Sequence, residues 1–173
     1  MSVPRKSGTK ARIGDVIQIP IDGDHSGYGQ VVATRPSTLL VAVFRSPYPK
    51  TDQPPVDRIL ADDIALLTET FDAKIWNGDW PVVANVAPDV SRFPLPNYKV
   101  TIDRADQWHV ESYDSKRHRP AKPWELDSLQ LRTVVSAKFL QDAFQALHGI
   151  EPWDGSYRLL EYDVMRRSAE IQV

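Results

Sequence analysis

Fourteen prolines stand against eight glycines in this 173-residue chain, and that imbalance limits what it can build. Proline donates no amide hydrogen and disrupts helix interiors and central strands. Few segments remain long enough for helices, so short strands joined by stiff loops are favoured. The length suffices for one domain with a substantial core.

Hydrophobic periodicity locates the elements. Ile17, Ile19 and Ile21 alternate with Val16, Gln18 and Pro20, the period-two mark of a half-buried strand. A second run covers Tyr28 to Thr34, and Leu39 to Phe44 is a continuous apolar strand of central type. Short turns join the three into a meander. Ser46 to Val56 is a proline-rich loop without regular structure, followed by a strand entered from Ala61 and running to Phe71. Asp72 and Gly78 bracket a short helix over 73–77, and Trp80 to Val83 resumes extended structure. Tyr98–Ile102 and Trp108–Tyr113 form a hairpin. Ser136 is the N-cap of the main helix, with Phe139, Leu140, Ala143, Phe144 and Leu147 on its apolar face. Tyr157 to Tyr162 is a final strand or short helix.

The predicted fold is α+β, a β-rich single domain. It consists of a strongly bent antiparallel sheet or small barrel-like meander with one main C-terminal helix over about 136–148. Residues 1–11 read as a flexible basic tail, 12–150 as the domain, and 151–173 as an extension packed on the same domain.

The stretch IDGDHSGYGQVV (21–32) invites two ligand readings. A calcium loop wants oxygens at positions 1, 3 and 5, glycine at 6 and glutamate at 12. Asp22, Asp24, Ser26 and Gly27 fit, but position 12 is Ala33. A dinucleotide loop fails as well, because the third glycine is missing and a strand stands where the helix should begin. The stretch is therefore a strand–turn–strand. The four histidines lack metal-ligand spacing, and no nucleophile elbow or S-x-x-K motif occurs. No catalytic, metal or cofactor residue is assigned, and the chain is read as a non-enzyme.

Absence of cysteine excludes disulfides and thiolate chemistry. Lys and Arg (21) nearly balance Asp and Glu (23), so no global field advertises nucleic acid. The basic run Ser115–Lys122, flanked by Tyr113 and Trp124, reads as a solvated loop. No apolar segment is long enough for a leader or a membrane span, which makes a cytoplasmic protein the expectation. Of five tryptophans, Trp80 and Trp108 are assigned to the core, while Trp76, Trp124 and Trp153 lie near loops or element ends.

Three segments in order, Ile13-Gly-Asp-Val-Ile-Gln-Ile-Pro20, Gly27-Tyr-Gly-Gln-Val31 and Phe71-Asp-Ala-Lys-Ile-Trp-Asn-Gly-Asp-Trp-Pro-Val-Val83, resemble the immunity protein 26 family of bacterial polymorphic-toxin systems. Leu129–Val135 leads into the helix as that family's closing segment does, so the resemblance spans about 12–148. It implies a non-enzymatic cytoplasmic protein that binds and neutralises a cognate toxin domain. Expected contacts are Asp22, Asp24, His25, Tyr48, Asp62, Asp63, Trp76 and Trp124, the acidic ones mimicking phosphate if the toxin is a nuclease. The alternative is a small-barrel nucleic-acid-binding protein, since Gly14-Asp15-Val16 also opens barrels of that type.

Overall fold

The structure, a computed structural model, describes residues 8–173. Its main sheet starts with β1 (Asp15–Pro20), β2 (His25–Thr34), β3 (Leu39–Phe44), β4 (Tyr48–Pro49), β5 (Ile64–Thr70) and β6 (Val82–Asn85). A second sheet comprises β7 (Tyr98–Thr101), β8 (Trp108–Glu111), β9 (His118–Pro120) and β10 (Gln130–Leu131). The chain then returns to the main sheet as β11 (Val134–Val135), pairing parallel with β5. The main order is β11-β5-β3-β2-β1-β6, with β4 on β2, and the second is β10-β7-β8-β9. Register shifts at Val16/Ile17, Val31/Ala33 and Val43/Phe44 bend the main sheet, as bulges do. It remains open, so the bent-sheet form of the expected fold is the one realised.

All six residues of β3 and all seven of β5 are buried, because both faces of the main sheet are covered. Ile17, Ile19, Val31, Val41, Val43 and Leu66 face one core. Helix α3 (Ala137–Leu147) and Trp80 close it. Val16, Tyr28, Leu40, Ala42, Phe44 and Leu67 face the other core, beneath Tyr98 and Tyr113 of the second sheet's region. The alternation of β1 between Ile17/Ile19 and Val16 is thus a division between two cores.

The Ser136 hydroxyl accepts the Phe139 amide at 3.0 Å, the N-cap expected of α3. Helix α2 (Ala73–Asn77) ends at Gly78, whose φ of 84° suits a residue without Cβ. Asp72 precedes that helix without a side-chain cap bond. Two helices go beyond the sequence reading. Helix α1 (Val56–Leu60) follows Pro55, which already has a helix-compatible φ, and it buries Ile59 in the second core. Helix α4 (Tyr162–Ala169) follows a 3-10 segment, Gly155–Leu160, and buries Val164, Met165 and Ser168. Of the two forms expected at 157–162, the short helix is realised through Leu160, while Glu161 is extended and bridges Leu66.

The chain ends engage this framework. Residues 1–7 of the expected tail lie outside the described residues, but the Gly8 amide donates to Trp76 O at 2.7 Å and Ala11 is buried. Within 151–173, Leu160 joins the first core and Met165 the second. Asn97 Nδ2 donates to Ile171 O at 2.7 Å.

Candidate partner-binding surface

Antiparallel pairing gathers the end of β1, the start of β2, the end of β3 and the start of β5 at one end of the main sheet. That end carries Asp22, Asp24 and His25 on the β1–β2 turn, with Asp62 and Asp63 before β5. Asp22 Oδ1 accepts the amides of Asp24 and His25 at 2.7 Å each, an Asx-type turn. These bonds hold its carboxyl below the ordinary aspartate range, with the His25 ring assisting. Lys50 Nζ braces the same turn, donating to Asp22 O at 2.7 Å and Gly23 O at 2.9 Å. Asp62 likewise serves its own turn, accepting the amides of Ser46 at 2.7 Å and Asp63 at 2.8 Å. Asp24 and Asp63 are exposed and use their carboxylates in neither turn. Beside the β1–β2 turn lies a polar cleft of about 570 Å³ lined by Gln18, Ser26, Lys50, Asp52 and Asp79.

The remaining expected contacts lie elsewhere. Tyr48 is buried: Ser26 pairs with it across β2 and β4, and its ring meets Tyr28 edge-on at 5.7 Å. Its place in the second core corrects the expectation of an exposed anchor. Trp76 is exposed on α2, which belongs to the face covered by α3. Trp124, 73% exposed, stands beside the second sheet with Lys122 Nζ 5.4 Å from its ring centre. Trp80 is in the core as expected, whereas Trp108 is only half-buried. In the basic run, Arg119 makes a two-pronged pair with Glu125 at 2.7 and 2.8 Å and also donates to Gln172 O. Tyr113, its expected stacking flank, is buried.

Behind these surfaces, a buried charge network joins the two sheets. The Glu69 side chain on β5 is wholly buried and pairs with Arg132 at 3.1 Å and Arg35 at 3.4 Å. Arg132 also binds Glu111 on β8 at 2.6 Å and donates to the carbonyls of Ser112 and Tyr113. Its guanidinium lies 4.3 Å from the Tyr98 ring centre. Burial pushes the Glu69 carboxyl up against the pull of both arginines. Burial, then Glu69 itself, pushes up the hydroxyls of Tyr98 and Tyr113. The network was not legible in the sequence, because nothing local marks Glu69 as different from a surface glutamate.

The segment Ile13–Pro20 also has a structural task. Gly14 has φ 91°, and a Cβ there would lie 2.7 Å from Val86 O. Buried Asp15 accepts the Arg12 amide and the Asn85 side-chain amide at 2.8 Å each, fixing the entry to β1 against β6. Among the described residues, no group of three or more histidine or acidic side chains is placed to hold a metal ion. No helix among them is long and apolar enough to cross a membrane.

The result is a stiff two-sheet scaffold that presents braced polar loops and keeps its densest charge network away from solvent. The profile of the Immunity protein 26 family matches residues 12–109, and the chain belongs to that family. Membership makes it an immunity protein of toxin systems. The match ends inside β8, short of the Leu129–Val135 segment and α3 that the resemblance includes. No curated protein matches the chain, and no solved structure does.

Proposed function

We propose that this protein binds a cognate bacterial toxin domain and neutralises it by occlusion, without catalysis, in the cytoplasm of the producing cell. Membership in the Immunity protein 26 family carries the reading. The sheet end bearing Asp22, Asp24, His25, Asp62 and Asp63 is the proposed contact region. Its turns are already held by hydrogen bonds, so little conformational entropy is lost on docking. Exposed carboxylates there suit a basic toxin surface, including a nuclease site that otherwise receives phosphate.

The test is co-expression with the C-terminal domain of a large secreted protein encoded next to this gene, scoring growth rescue and co-purification. Rescue with a stable complex is expected, and toxicity unrelieved by the wild-type chain refutes the reading. Asp24→Lys with Asp63→Lys probes the contact region, because these carboxylates serve neither turn. Unchanged affinity in that double variant removes the region from the interface.

A further inference from the structure

Trp153 follows α3 on a segment beyond the family match and is 40% exposed. Its ring meets Tyr157 edge-on, with centroids 5.4 Å apart, and Tyr157 meets Phe139 of α3 in the same manner at 5.0 Å. Tyr157 is buried, so the exposed indole rests on a fixed aromatic stack rooted in the first core. Exposed carboxylates flank the indole along the chain, Glu151 two residues before it and Asp154 directly after it. After burial, the charges of Asp142, then Asp154 and Glu151, push the Tyr157 hydroxyl up. Lys138 is the opposing cation, and it is bound to Asp142 at 2.5 Å. Asp154 accepts the Ser156 amide at 2.7 Å, which holds its carboxylate in place at the start of the 3-10 segment.

The other tryptophans sharpen the comparison. Trp80, Trp108 and Trp124 each have a lysine ammonium of this chain near the ring, at 6.0, 5.9 and 5.4 Å. Among the described residues, no such cation stands over Trp76 or Trp153. Within two positions of the ring Trp76 has Lys74, whereas Trp153 has the carboxylates of Glu151 and Asp154. An aromatic ring bordered by carboxylates favours a cation over a neutral or anionic group. Tryptophan is also the residue type enriched at interface hot spots, particularly when held rigid.

We propose that Trp153, backed by Tyr157 and Phe139 and flanked along the chain by Glu151 and Asp154, receives an arginine or lysine side chain projecting from the toxin domain. This rests on the immunity reading and adds an anchor from outside the family-matched stretch, where a partner-specific contact can vary without disturbing the shared scaffold. The basic side chain stacks on the indole while its charge is shared with the two carboxylates.

The test uses the full chain and the adjacent toxin domain, with affinities measured by calorimetry at low and high salt. Trp153→Ala should raise Kd by about 30-fold or more, the threshold for a hot spot, and Trp153→Phe should recover part of that loss. Glu151→Gln with Asp154→Asn keeps the ring and the turn acceptor. It should weaken binding about 10-fold at low salt and converge on the wild type at high salt. Thermal midpoints equal to wild type show that the variants are folded. Wild-type affinity in both Trp153→Ala and the carboxamide variant overturns the anchor while leaving the immunity reading intact. Failure of the wild-type chain to bind or protect refutes that reading and the anchor with it.

Discussion

Replacing Gly27 by alanine sets a methyl group where the Phe144 ring already lies. A Cβ built on Gly27 would be 2.0 Å from Phe144 Cε1 and 2.2 Å from Cζ. Non-bonded carbons settle about 3.5–4.0 Å apart, so the two must separate by roughly 1.5 Å. The ring has no free direction. Phe144 is wholly buried, and His148 lies edge-on at 4.8 Å. On the other side, β2 is held by Tyr28 in the second core, so the strand cannot retreat without disturbing that layer. Overpacking of this kind costs about 1–3 kcal/mol, and two rigid neighbours put Gly27→Ala near about 3 kcal/mol. For a chain of this length that lowers Tm by about 6–12 °C.

Urea denaturation followed by circular dichroism measures this cost directly. Phe144→Leu, costing about 1–2 kcal/mol alone, should relieve the clash. The double variant should then be more stable than the sum of the single costs implies, with a coupling of about 2 kcal/mol. Gly27→Ala within about 0.5 kcal/mol of wild type, or strictly additive costs, would refute the close approach of α3 to β2.

Other consequences follow from the same contacts. Arg132→Ala leaves Glu69 and Glu111 without their shared cation and should cost about 3–5 kcal/mol in chemical denaturation, with Arg132→Lys recovering little because the several directed bonds need a guanidinium. Ser136→Ala removes the cap of α3 and should cost about 1 kcal/mol by the same assay. Hydrogen bonds from Arg119 bring the Glu125 carboxyl down to about 2, from an ordinary value of 4.5. The folded state therefore binds fewer protons than the unfolded chain across that window. Its contribution to stability is present above pH 4.5 and is lost as pH falls towards 2. Glu125→Gln should flatten that part of a stability–pH curve, and an identical slope in wild type and variant would contradict the pairing.

Much of the framework was legible because it follows from local backbone geometry. Ile17, Ile19 and Ile21 share a face whatever covers them, since strand side chains alternate. Ser136 caps α3 through an amide only three residues away. Gly27 shows the limit of such reading: the sequence offered a turn and a small residue, whereas the tertiary requirement comes from Phe144 across the layer. Tyr48 shows the same limit from the other side. A tyrosine among prolines looks available to a partner until β4 pairs with β2 and carries its ring into the core.

Residue order alone thus determined the strands of the meander, the α3 helix with its cap, and the family segments that begin at Ile13. Tertiary structure decided which loops share an end of the sheet, why Glu69 is buried, and that Trp153 stands exposed on an aromatic stack. The division has one physical cause. Periodicity and capping are set by neighbours along the chain, while burial and charge environment are set by partners as remote as Glu69 and Arg132, 63 positions apart.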